Sequence, residues 1–247
     1  MNLDDNINDN NLLDKLNEIT KNIPGKLNIL NEPIDINVQI EYFEYSKKIK
    51  EKNNSINIII DIKNLFEKET SIEEKKQLIA SLASQDNVKS YRTLEKYSKS
   101  PDKELKNWSL LALQESRMLI EGSILEENQI FISTGLGGKD SKLRYFVVFF
   151  AKNKADFSDI QKKIITKELK FTLKHNNAEI EKIKFDKNFS TILSLIPIQE
   201  PIEIIFKDVI RNCNELGNFI NDDFLITNTK VMNKDEVENY LNNKKNA

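Results

Sequence analysis

Residues 142–151 read Lys-Leu-Arg-Tyr-Phe-Val-Val-Phe-Phe-Ala, and this stretch decides the fold class. Leu143, Tyr145, Val147 and Phe149 alternate with Phe146, Val148 and Phe150. Successive side chains of a strand point to opposite faces, so apolar residues in both sets predict a central strand covered on both sides. Upstream, residues 129–134 (Gln-Ile-Phe-Ile-Ser-Thr) read as a strand and Gly135 to Asp140 as a turn. Downstream, Ser158 and Gln161 form a capping box that opens a helix over 157–174, with Phe157, Ile160, Ile164 and Phe171 as its stripe. Strands follow near 178–185 and 190–197. A helix from Pro201 to about 216 stops at Gly217. A last strand near 223–227 and a closing helix over 232–243 complete the chain.

From 142 to 227 the order is β-α-β-β-α-β, which resembles the ferredoxin-like split βαβ arrangement. There the first strand is central with two neighbours, whereas a glycine-rich hairpin would add the strand 129–134 as a third. The expectation is an α+β fold whose second part is a mixed β-sheet of about five strands covered by two helices.

The first part reads as helical. Leu12, Leu13, Leu16 and Ile19 predict a helix over 10–22, broken by Pro24-Gly25. Residues 26–38 read as extended or irregular and 39–52 as a helix. The run 56–66 (INIIIDIKNLF) fits a strand or a helix and is taken as helix, because helices follow it. Ser71 and Glu74 make a capping box ahead of Leu78, Ile79 and Leu82. Asp86 is the expected N-cap of a second helix carrying Val88, Tyr91, Leu94 and Tyr97. Ser100-Pro101-Asp102 opens a third, with Leu105, Trp108, Leu111, Ala112 and Met118, ending at Gly122. Within it, LEKYSKSPDKELKNWSLLALQE resembles a HEAT/armadillo-type helical repeat at Leu94, Pro101, Asp102, Leu105, Trp108, Ser109, Ala112 and Leu113. The resemblance covers about residues 71–121 and implies an antiparallel helical array with an extended surface for partners. Two domains are expected, 1–125 helical and 126–247 α+β.

The 247 residues carry 37 basic and 39 acidic side chains, a formal net charge of −2. That balance offers no global attraction to nucleic acid or to an acidic membrane. Cys213 is the only cysteine, so no internal disulfide forms. The start MNLDDNINDN lacks a basic segment followed by an apolar one, and the longest apolar run falls well short of the ~20 residues of a membrane helix. A cytoplasmic location is expected.

Few residues could carry chemistry. His175, the only histidine, sits at a helix end, where an imidazole suits the helix dipole. Cys213 shares a stripe with Ile202, Ile205, Val209 and Leu216, which predicts a buried, inert thiol. Glu73-Glu74, Glu126-Glu127 and Asp222-Asp223 read as solvated, and Tyr91, Tyr97 and Trp108 as core. Hence no catalytic residue, metal or cofactor is expected. The basic runs Lys47-Lys48-Ile49-Lys50, Lys162-Lys163 and Lys244-Lys245 interleave no aromatics as a single-strand binding platform does. The speculative binding site is the glycine-rich loop, with Gly135, Gly137, Gly138, Lys139, Lys142 and Arg144. Glycine lets amides converge on an anion and the cations add charge, but the Walker spacing is absent and a strand follows.

Three functions are expected, in order. The first is a non-enzymatic protein–protein interaction or adaptor module. The second is a small-ligand or anion-binding regulatory domain using loop 135–141, and the third is association with RNA or the ribosome. Another protein is the expected partner and a small anion the second choice. Neither membrane nor nucleic acid is expected.

Overall fold

In the computed structural model, which describes residues 25–53, 62–126, 128–152 and 155–243, the elements run β1 (Gly25–Ile29), α1 (Ile36–Asn53), α2 (Ile72–Ala83), α3 (Val88–Ser98), α4 (Lys106–Leu125), β2 (Asn128–Ile132), β3 (Gly138–Lys139), β4 (Lys142–Ala151), α5 (Asp159–His175), β5 (Glu179–Asp186), β6 (Phe189–Pro197), α6 (Ile202–Glu215), β7 (Ile220–Thr227) and α7 (Lys234–Asn243). Two units form, Lys26–Gly138 and the chain from Lys139 onward. The α+β class read from the sequence is the class of the structure. The unit boundary lies between 138 and 139 rather than at 125/126. The reason is β2, which pairs with β1 and so stays with the helices.

That pairing also corrects the hairpin. β2 does not join β4; only the two-residue β3 does, through a turn at Asp140 (φ 49°) and Ser141 (φ 63°). Positive φ at both central residues makes the mirror-image turn that suits strand twist. Both edges of β4 are thereby open to long partners. β6 pairs antiparallel with it from Lys142↔Pro197 to Phe150↔Phe189. β7 pairs on the other side, from Phe146↔Thr227 to Ala151↔Ile220, and β5 pairs with β6. The long strands lie in the order β7–β4–β6–β5.

α5 and α6 cover one face of this sheet. Phe149 meets Phe206 of α6 with ring centroids 6.0 Å apart, and Ile165, Leu169, Phe206, Val209 and Cys213 are buried there. The opposite face takes α7, whose Tyr240 stacks on Phe150 at 6.2 Å and whose Val237 is fully buried. The capping box of Ser158 and Gln161 is present. The stripe expected for α5 is corrected. Ile160 and Phe171 are each 72% exposed, and Ile165, Leu169, Thr172 and Leu173 face the sheet instead.

In the first unit, α4 packs against α1, α2 and α3 around one core, where Trp108 meets the rings of Tyr42 and Tyr45 edge-on, both at 5.3 Å. Ser71 and Glu74 cap α2 reciprocally. Asn87 rather than Asp86 caps α3, and α4 runs past Gly122 to a left-handed Glu126. Ser100-Pro101-Asp102 leads into a 3-10 turn, Lys103–Leu105. There Asp102 accepts from Lys75 Nζ at 2.8 Å and from the Tyr97 hydroxyl at 2.6 Å. The run 56–66 is a 3-10 turn over Ile62–Phe66, and its earlier residues, like the helix expected over 10–22, lie outside the described residues.

Candidate anion-binding surface

The glycine-rich loop is occupied by its own chain. The Gly137 amide donates to Thr134 O at 3.1 Å and the Gly138 amide to Leu30 O at 2.8 Å. Gly135, Gly137 and Gly138 are all buried. Gly137 has φ +67°, and a Cβ there would lie 2.7–2.8 Å from the carbonyl oxygens of Leu30, Asn31 and Glu32. Glycine is required because the backbone of 30–32 passes against it.

The cations beside the loop are engaged as well. Lys142 pairs with Glu179, and Arg144 grips Glu181 with two bonds, Nε at 2.6 Å and NH2 at 2.9 Å. The hydrogen bond from Lys142 holds the Glu179 carboxyl below its ordinary value. Lys139 is exposed, 3.9 Å from Asp140. The loop therefore aims no converging amides at an anion: Gly137 and Gly138 serve the packing of the first unit, and Lys142 and Arg144 fasten β4 to β5 across β6.

His175 is exposed at the end of α5 and Cys213 is buried in α6. Burial, then the nearby Glu168 charge, pushes the Cys213 thiol up to about 12. Such a thiol is protonated at neutral pH. Among the described residues, no group of three or more His, Cys, Asp or Glu could hold a metal ion, and no helix is long and apolar enough to cross a membrane.

A row of lysines without ion pairs among the described residues lies elsewhere in the second unit. Lys163, Lys167, Lys170 and Lys174 recur along α5 at spacings of four, three and four. These positions share one side of a helix, so the four ammonium groups form a ridge about 16 Å long. All four are exposed, and none forms an ion pair among the described residues; Lys162 is the α5 lysine that does, with Asp159. Ile160, Ile164 and Phe171 run beside the ridge.

β5, which packs against α5, adds Lys182 and Lys184, both exposed and without an ion pair among the described residues. They stand opposite Leu193 and Thr191, which in turn oppose Phe146 and Val148. Their side chains thus share the sheet face of α7, where a cavity of about 360 Å³ lies between β5, β6 and α7. Lys234 closes its rim by bonding Asp186 at 3.1 Å. Of the α5 lysines, the basic runs read along the sequence contain Lys162 and Lys163. The helical spacing of the other lysines was the signal that would have found the ridge.

No known family model matches the chain, and no curated protein matches it either. Solved structures do. A candidate transposase of Deinococcus radiodurans R1 aligns over 43% of this chain and 94% of its own, with 15% identity and a TM-score of 0.37. A REP-associated tyrosine transposase bound to a REP hairpin aligns over 44% of this chain and 70% of its own, with 11% identity and a TM-score of 0.33. Both neighbours are described as transposases, so the expectation of a non-enzymatic adaptor module finds no support among them. A likeness at this level transfers no residue role, and the chemistry of this chain is read from its own side chains.

Proposed function

We propose that the second unit binds nucleic acid through the phosphate backbone, along the lysine flank formed by α5 and β5. The observation that supports this is the ridge of Lys163, Lys167, Lys170 and Lys174, exposed on one side of a single helix and without an ion pair among the described residues. A net charge near zero gives no long-range pull, but contacts to phosphate depend on the local cluster and on the counterions it releases. Lys182 and Lys184 extend the charge around the edge strand to the sheet face opposite the one that α5 covers. A flat membrane meets one of these two faces, whereas a nucleic-acid strand can follow both.

The strand order β7–β4–β6–β5, with β4 central, supports reading the unit as the ferredoxin-like split βαβ arrangement. That scaffold hosts many functions, so the reading rests on the lysines.

The test is fluorescence anisotropy with a labelled 20-base-pair duplex and a labelled 20-nucleotide strand. Vesicles of 30% phosphatidylserine in phosphatidylcholine serve as the other polyanion. The full chain is compared with the variant Lys163→Gln/Lys167→Gln/Lys170→Gln/Lys174→Gln. Nucleic-acid binding by the wild type, weakened at least tenfold in the variant with unchanged circular dichroism, is expected. Equal binding by the two proteins, or retention by vesicles alone, would refute the proposal.

A further inference from the structure

The cavity of about 360 Å³ on the sheet face of α7 combines apolar walls with surplus positive charge. Leu193 of β6 and, from the segment before α7, Val231 and Met232 supply apolar walls. Lys182 and Lys184 line it from the edge strand β5.

The charges along β5 show that these two lysines are in excess. All three carboxylates of the strand are held, Glu179 by Lys142, Glu181 by Arg144 and Asp186 by Lys234. Asp186 is the one carboxylate in the lining among the described residues, so none is left there to neutralise Lys182 and Lys184. Two positions apart on a strand, they leave the same face about 6.5 Å from each other, and both ammonium groups can reach one anion. A phosphate monoester carries about −1.5 to −2 at neutral pH and offers three acceptor oxygens. It matches two ammonium groups better than a singly charged carboxylate or phosphodiester.

The remaining lining fits the body of the ligand. Asn233 Oδ1 accepts from the Glu236 amide at 3.0 Å, which leaves the Asn233 NH2 group to donate. Thr191 adds a hydroxyl. Apolar walls with a donor and a hydroxyl suit a heterocyclic base, whose faces are apolar and whose edge carries acceptors.

We propose that this cavity binds a nucleoside 5′-phosphate, with the phosphate monoester between Lys182 and Lys184 and the base against Leu193, Val231 and Met232. Its source is a free mononucleotide or the 5′-phosphorylated end of a strand. The second rests on the nucleic-acid reading above, and the first does not.

The chain has three methionines, of which Met232 lines this cavity and Met118 belongs to the first unit. Methyl-¹³C methionine NMR of the full chain therefore carries its own control. Deoxyadenosine 5′-monophosphate is expected to move the Met232 methyl and not that of Met118. It should bind at least about tenfold more tightly than deoxyadenosine or deoxyribose 5-phosphate, and Lys182→Gln/Lys184→Gln should weaken it about tenfold. Both lysines are exposed, so the variant keeps the fold. Two 10-nucleotide strands, one ending in a 5′-phosphate and one in a 5′-hydroxyl, separate the sources. A Met232 shift with the phosphorylated strand alone identifies the strand end, and a shift with the mononucleotide but neither strand identifies the free nucleotide. Three results overturn the proposal: a Met232 methyl unmoved by millimolar mononucleotide and by the phosphorylated strand; deoxyribose 5-phosphate binding as tightly as the mononucleotide; or binding undiminished in the double variant. Duplex binding through α5 with Met232 unmoved would fail this proposal and leave the α5 reading standing, and a Met232 shift in a protein that binds no duplex would do the reverse.

Discussion

Replacing Asp102 by alanine strips the partner from a buried ammonium group. The Lys75 side chain is 4% exposed and bonds Asp102 Oδ2 at 2.8 Å, and the Tyr97 hydroxyl donates to the same oxygen at 2.6 Å. Removing one member of a buried pair costs about 3–5 kcal/mol. Asp102 is itself 34% exposed, so water partly screens the pair and the lower end applies. We therefore expect Asp102→Ala to cost about 2–4 kcal/mol.

The protein has a single tryptophan, Trp108, buried in the same core, so its fluorescence during urea unfolding reports on the first unit alone. The pH dependence has a definite sign. Hydrogen bonds from Lys75 and then Tyr97 hold the Asp102 carboxyl below its ordinary value. Its stabilisation is thus fully present above the unfolded value of about 3.9 and is lost as pH falls through the lower folded value. The variant should lack that acid limb. In a Lys75→Met background the same substitution should cost at least about 2 kcal/mol less. Additive costs in that double-mutant cycle, or a change in Asp102→Ala within about 0.5 kcal/mol, would refute the reasoning.

Further outcomes follow from single contacts. Gly137→Ala should destabilise the first unit by at least about 2 kcal/mol by Trp108 fluorescence, from left-handed strain and three carbonyl clashes; near-neutrality would mean that the loop is not pinned. Ser71→Ala should cost about 1 kcal/mol by the same probe, through loss of the α2 cap, and no loss would contradict the reciprocal capping. Cys213 should stay unreactive towards an aromatic disulfide reagent at pH 8 in the native protein and react at once in 6 M guanidinium; fast native labelling would show the thiol to be accessible.

Local signals carried most of what the sequence revealed. The double-sided apolar pattern of 142–151 marks a central strand because it depends only on period two, and the capping boxes at Ser71 and Ser158 depend on three-residue spacing. Non-local pairing was not legible. β2 meets β1 about a hundred positions away, as the bond from Asn28 to Gln129 shows, and nothing between them announces it. α5 misled for another reason. It has apolar residues on two sides, and a periodicity argument cannot tell which side the sheet takes; Ile165 and Leu169 were buried, leaving Ile160 and Phe171 outside. The glycine-rich loop showed the right residue types but not where their amides would go. The lysines of α5 form no run along the chain, and their clustering is visible only around the helix.

The slope of log K against log salt concentration for a 20-base-pair duplex tests the lysine flank most directly. Each phosphate contact contributes about −0.9 to that slope, so the quadruple glutamine variant of α5 should be shallower than the wild type by about 3–4. Identical slopes for the two proteins would contradict a phosphate-binding role for Lys163, Lys167, Lys170 and Lys174.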